Sequence, residues 1–318
     1  MVEAAGVRVG WADLPASVRL AVEEILGSPV VEAVSQPGGF SPGSADRVVT
    51  ADGRRAFAKA VGGSLNPQSP VLHRREIAFG AALPPVGSVP TLLGSWDDGD
   101  WVALVLADVD GRHPHLPWRR AELEAVREAL EVVADIPLTD GLAQLPETGA
   151  GFAEDFAGWH RLRADPSPAL DPWAARHLDR LTAAADRGEA ALAGDQLVHG
   201  DVRADNLLVR PDGSVVVVDW PWATRGAGWF DRLALLVNVG LNDPHAPLED
   251  LRAAWLPEVA ADDVDAVLAG LGAYFVDVAR RPDPPGLPTV RAFQRAQGEV
   301  VLRWLGLRWG AAPLGFRA

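Results

Sequence analysis

The texture of the chain changes after Ala107, and that change limits the architectures open to it. Before it, short apolar runs are joined by tight turns: Val48 to Thr50 and Arg54 to Val61 flank Asp52-Gly53, and Thr91 to Trp96 and Trp101 to Leu106 flank Asp97, Asp98 and Gly99. Such turns between strand-like runs specify β-hairpins. One helix is expected between them, with Ser69 and Pro70 as cap and first turn, Val71 to Leu83 as the body and Pro84-Pro85 as the stop. After Ala107 the chain turns to longer amphipathic segments: Pro117 to Ala134, Gly151 to Leu162, Asp171 to Ala193, Asp262 to Ala279 and Thr289 to Leu307. A single β region interrupts them, at Leu197 to Val198, Leu207 to Arg210 and Ser214 to Trp220, the last two joined by Pro211, Asp212 and Gly213. The expectation is an α+β chain of two lobes around a cleft, β-rich over residues 1–107 and mainly helical over 108–318.

Composition excludes several chemistries. The 318 residues contain no cysteine, so thiolate nucleophiles, disulfides and cysteine metal sites are out, and the seven histidines show no ligand spacing. No apolar run reaches the roughly 18 residues of a membrane span and no basic-then-apolar leader opens the chain, so a cytoplasmic protein is expected. A formal charge of −14 disfavours nucleic acid or an anionic membrane and suits a cationic small molecule. Of 29 basic residues only Lys59 is a lysine, which marks it as a site candidate: Arg replaces Lys at most solvated positions but not where a compact point charge must meet a phosphate.

The most informative stretch runs from Leu197 to Trp220. His199, Gly200, Asp201 and Asn206 have the spacing His-Gly-Asp, four residues, Asn, and Asp219 follows the next strand. This block resembles the catalytic loop of the aminoglycoside phosphotransferase family, small-molecule kinases of protein kinase-like fold. The chemistry accounts for the spacing. Phosphoryl transfer needs an acceptor hydroxyl in line with the γ-phosphate and a carboxylate to take its proton, here Asp201. It also needs hard oxygen ligands for Mg²⁺, here Asn206 and Asp219, which a hairpin returns to one end of the cleft. Arg203 matches a position usually basic in kinases and suits the transferring phosphoryl group. His199 reads as a loop-orienting residue, Asp205 as a solvated or capping one. Ordinary turn residues are the competing reading for Asp201 and Asp219.

The resemblance extends upstream in the expected order. Pro37 to Gly43, with Gly39 at its centre, stands where a loop covers the phosphates with backbone N–H groups, although it departs from Gly-x-Gly-x-x-Gly. Lys59 resembles the strand lysine that holds the α- and β-phosphates, and Glu76 its helix partner, the alternatives for Glu76 being a surface position or a pairing with Arg74 or Arg75. Phe57 shares a strand face with Lys59 and serves either the adenine pocket or ordinary packing. Backbone groups from Ala107 to Val109 are implied to meet the adenine edge. Asp231, in Gly226 to Asp231, is expected to hold the catalytic loop or cap the next helix. The resemblance implies ATP, or GTP, with Mg²⁺ as cofactors, and a monomer or homodimer. The acceptor it implies is a small hydroxyl compound: an aminated antibiotic, with a resistance role, or a choline-, homoserine- or sugar-type metabolite; the alternative from a different class is a nucleotide-binding pseudokinase, which the retained Asp201, Asn206 and Asp219 disfavour.

Overall fold

The computed structural model describes residues 8–36, 42–64, 66–167 and 169–310. Helix α1 (Ala16–Leu26) leads into strands β1 (Val30–Ser35), β2 (Ser44–Thr50) and β3 (Arg55–Gly62), then α2 (Ser69–Ala82), β4 (Leu92–Asp97) and β5 (Trp101–Ala107). The strands form one antiparallel sheet in the order β1, β2, β3, β5, β4. Both hairpins fall where their turn residues place them. At the second, the Asp97 carboxylate accepts from the Gly99 N–H at 2.9 Å and Asp98 from the Trp101 N–H at 2.8 Å, so the acidic side chains close the turn themselves.

Strict alternation along β3 gives the sheet two different faces. Ala56, Ala58 and Ala60 are buried against α1, packing with Val18, Val22 and Leu26, while Phe57 and Lys59 point the other way. The small alanines let α1 lie close. Val18 and Val22 are fully buried, and burial of this kind contributes about 1.5–3 kcal/mol per side chain. The α2 helix starts one residue earlier than a Ser69 cap requires: Ser69 is already helical, and the Asn66 side chain accepts from the Gln68 N–H at 2.9 Å instead.

The helical part comprises α3 (Arg120–Ala134), α4 (Thr148–Phe156), α5 (Gly158–Ala164), α6 (Pro172–Arg176), α7 (Leu178–Ala185) and α8 (Gly188–Ala191). Short strands β6 (Gln196–Val198), β7 (Leu207–Val209), β8 (Val215–Val217) and β9 (Thr224–Gly226) follow, then α9 (Trp229–Asn242), α10 (Leu248–Trp255), α11 (Ala261–Val278) and α12 (Val290–Arg308). The segments expected at Gly151 to Leu162 and Asp171 to Ala193 are thus two helices and three. Just after the first break Gly158 lies hard against α11, where a Cβ would lie 2.3 Å from the Ala273 carbonyl oxygen. Helix α11 is apolar on nearly every face because α4, α5, α7, α8 and α12 surround it. Phe79 of α2 stacks on Trp220 with ring centres 4.5 Å apart, fixing the sheet to the segment that carries Asp219. No helix among the described residues is long and apolar enough to cross a membrane.

Carboxylates anchor the connection between the two parts. Glu122, in the first turn of α3, accepts from Arg112 at 2.6 Å and from the His115 N–H at 2.8 Å. Burial opposes its charge, but these donors hold its carboxyl down at about 2. Glu122→Gln is expected to destabilise the fold by about 1–2 kcal/mol, measured by urea unfolding at neutral pH.

Candidate active site

Backbone geometry brings the catalytic-loop side chains together. Gly200 adopts φ +83°, and a Cβ there would sit 2.8 Å from the Trp222 carbonyl oxygen, so the turn before Asp201 requires glycine. The Asp231 carboxylate, on α9, accepts from the His199 N–H at 2.7 Å and the Gly200 N–H at 3.0 Å. It clamps the loop, as the sequence led us to expect. His199 is fully buried: its Nδ1 accepts from the Asp201 N–H at 3.2 Å while Nε2 faces the Val218 carbonyl at 3.0 Å. That pairing makes Nε2 the protonated nitrogen, and burial lowers the imidazole's pKa, keeping it neutral. His199 is an orienting residue and has no lone pair to offer a substrate.

Asp201 projects from this turn. Arg203 Nη1 lies 2.6 Å from both of its oxygens, and the same guanidinium meets Asp205 at 3.0 and 3.1 Å. Arg203, expected to face the phosphoryl group, is clamped between two carboxylates, and Asp205, read as solvated, is its second partner. Burial pushes the Asp201 carboxyl up to about 6 against the pull of Arg203, with Asp205 and Asp219 adding to the rise. Asn206, buried in a single 3-10 turn at Ala204–Asn206, donates to the Asp201 backbone carbonyl at 2.8 Å and to its carboxylate at 3.3 Å.

On the facing side, Lys59 Nζ meets both Glu76 oxygens at 2.9 and 2.8 Å and Asp219 at 2.7 Å. Glu76 is therefore the lysine's partner, and the rival Arg74 pairs with Asp97. Asp219 holds φ +69°, an uncommon conformation for a residue with a Cβ, which aims its carboxylate back at Lys59. Burial works to raise the Asp219 carboxyl, but the charge and hydrogen bond of Lys59 hold it down at about 2.

Lys59, Asn206 and Asp219 open on one cavity of about 260 Å³, lined also by Phe57, Leu106, Ala107, Val109 and Leu208; Asp201, Arg203 and Glu76 stand behind its wall and do not line it. Phe57 is thus a cavity residue. The Ala107 N–H is bonded to the Thr91 carbonyl at 2.8 Å, and the Val109 carbonyl accepts from Arg47 at 3.3 Å, so part of the expected edge is already engaged. Gly39 lies outside the described residues. Several lining residues escaped the sequence reading, among them Arg8, Arg47, His73 and His113. His73 stands three positions before Glu76 and so on the same helix face, a spacing that was available to find it. Burial and Lys59 depress its imidazole to about 4, so it is neutral and donates from Nδ1 to the Ser69 carbonyl at 3.1 Å.

The donor set suits a hard cation. Among the described residues no cluster of three or more His, Asp or Glu is arranged to hold a metal, but an amide oxygen and a carboxylate on one cavity wall match Mg²⁺, which keeps waters and takes phosphate oxygens to complete its shell.

The architecture is shared with solved phosphotransferases. A thermostable mutant of aminoglycoside phosphotransferase APH(4)-Ia is 18% identical, covering 92% of this chain and 99% of its own, at a TM-score of 0.58. The ADP-bound aminoglycoside phosphotransferase APH(2'')-Ib is 14% identical over 91% and 97%, at 0.55. A putative fructosamine-3-kinase from Haemophilus somnus 129PT is 10% identical over 89% and 96%, at 0.51. No curated protein matches the chain. The model of the phosphotransferase enzyme family matches residues 46–271, the span from β2 through most of α11 that carries the Lys59, Asp201, Asn206 and Asp219 positions, and the chain belongs to that family.

Proposed function

We propose that the protein is an ATP-dependent kinase that transfers the γ-phosphoryl group to a hydroxyl of a small, cationic molecule. The observation that carries this reading is the meeting of two constellations on one cavity wall: Lys59 held by Glu76 and Asp219, and Asn206 tied to Asp201. In this reading residues 1–107 hold the nucleotide and 108–318 the acceptor. Phe57, Leu106 and the backbone from Ala107 to Val109 enclose the base, and Lys59 orients the α- and β-phosphates. Asn206 and Asp219 would hold Mg²⁺, which supplies charge neutralisation at the phosphates. Asp201 accepts the acceptor's hydroxyl proton, with Arg203 fixing its carboxylate and His199 its backbone.

The cationic preference has a structural motive beyond the charge of −14. Burial pushes the Tyr274 hydroxyl up to about 12, and the Asp155 and Asp201 carboxylates add to the rise. Negative charge of this kind in the helical part suits an ammonium group on the acceptor. Relatives in fold have been solved with gentamicin and with streptomycin and ATP. A second reading, a kinase of a glycated amine or sugar-type metabolite, draws on the fructosamine-3-kinase neighbour. ADP release from Mg²⁺-ATP across aminoglycosides, amino sugars and small alcohols separates the two. Turnover on none of them, with no ATP bound, removes the kinase reading.

Lys59→Arg tests the nucleotide side. The guanidinium keeps the charge but cannot fill the point between Glu76 and Asp219, so kcat/KM for ATP is expected to fall about 10-fold or more. Unchanged steady-state kinetics would move Lys59 away from the phosphates.

A further inference from the structure

Arg8 lines the cavity beside Lys59, His73 and Asp219, yet it lies 38 residues before the start of the family match at residue 46. It reaches the cavity through a short parallel bridge: Arg8 pairs with Gly43, and the Val9 N–H donates to the Gly43 carbonyl at 3.1 Å. Strand register shows which end of the cavity this is. Ser44 pairs with Ala60 and Ala45 with Lys59, whereas Ala107 pairs with Ala56 at the opposite end of β3. Gly43, and with it Arg8, therefore sits at the lysine end, away from the apolar part near Ala107.

We propose that Arg8 is a phosphate-binding residue of the nucleotide site, delivered from a segment that the family match does not include. The proposal rests on the reading of this cavity as the ATP site. The charge balance favours it. Lys59 shares its single charge with two carboxylates, Glu76 and Asp219, and Arg47 forms a two-point ion pair with Asp108, at 2.7 Å for each bond. The lysine end is thus net negative around Lys59, and a polyanionic triphosphate placed there needs further positive charge. Arg8 brings a second cation to this end: burial works against its charge, while the carboxylates of Asp219 and Asp46 favour it, the latter fully buried and accepting from the Ser35 and Ser44 hydroxyls. Its planar fork matches phosphate oxygens at two points. The bridge to Gly43 also ties the Arg8 backbone to the end of the segment read from the sequence as the phosphate cover.

Calorimetric titration of the full chain with Mg²⁺-ATP and, separately, with adenosine tests this. Arg8→Gln is expected to weaken Mg²⁺-ATP about 10- to 100-fold, the value of a charge-assisted hydrogen bond to phosphate, and to leave adenosine within about 2-fold. Arg8→Lys should recover part of the ATP loss. Equal weakening of both ligands would make Arg8 a structural counter-ion for Asp46 and overturn the proposal, as would unchanged ATP affinity. Wild-type protein that binds neither ligand would remove the nucleotide-site reading itself, whereas wild-type binding with an indifferent Arg8→Gln removes only the role of Arg8.

Discussion

Replacing Asp201 with Asn is expected to cut turnover by about 10²- to 10⁴-fold, the usual contribution of a positioned general base, while ATP affinity changes by less than about 3-fold. The amide is nearly isosteric, and its single oxygen, in the Oδ2 position, can still accept from Arg203 and Asn206, whose donors lie at 2.6 and 3.3 Å, while the second acceptor for Arg203 is lost. It cannot take the hydroxyl proton. Two features make the carboxylate suited to that task. Burial raises it to about 6, close to the working pH where a base is most effective, and Arg203 holds it in one orientation. Single-turnover measurement with a competent acceptor, alongside ATP titration, separates the chemical step from binding. Near wild-type turnover would sink the assignment of Asp201 as base and leave Asp205, the other carboxylate on Arg203, as the group to examine.

The variant also distinguishes Arg203's two possible duties. If the guanidinium serves Asp201, as its double clamp between Asp201 and Asp205 argues, then Arg203→Ala should lower turnover but add little to the loss in Asp201→Asn. Non-additivity of this kind is the signature of residues acting as a unit.

The loop half of the candidate site was legible because its residues are compressed into 21 consecutive positions, from His199 to Asp219, and one hairpin folds them together. Lys59 and Glu76 were legible because a lone lysine on an alternating strand and a glutamate on the next helix leave few partners. Arg203 shows the limit of such reading: which anions it meets depends on Asp205, whose proximity is a matter of loop geometry. The first helix was missed although its signal is present. Val18, Ala21, Val22 and Leu26 fall on one face, and Gly27 follows at φ +73° as a left-handed stop. Strand β9 had no comparable signal, since Thr224 to Gly226 is too short to show a period and forms only because β6 stands beside it. Arg8 was invisible for a different reason: only the pairing with Gly43 carries it to the cavity, and no spacing encodes a contact between an arginine and a turn so far apart in sequence.

Asp277 gives the largest expected effect on stability. Its side chain is fully buried near the end of α11, where three arginines converge on it: Arg161 from α5 at 2.8 Å, Arg280 at 2.9 Å and Arg281 at 2.5 Å. Its oxygens are all engaged and no part of the side chain is exposed. Asp277→Ala removes the common acceptor and leaves three like charges in one place. Breaking a buried pair from one side typically costs about 3–5 kcal/mol, and the lower end applies because the arginines, roughly a third to a half exposed, can regain water. A loss of about 3 kcal/mol should lower Tm by roughly 5–10 °C. The sign with pH follows from the carboxyl. Burial opposes its ionisation, but the three guanidinium groups hold it below its ordinary value, so the stabilisation is present in full above about pH 4 and is lost as pH falls through the depressed folded value. Wild type and variant should therefore differ most near neutrality and converge in acid. A difference in unfolding free energy that stays constant down to pH 2 would mean that the arginines, and not the charge on Asp277, carry the stability of this corner.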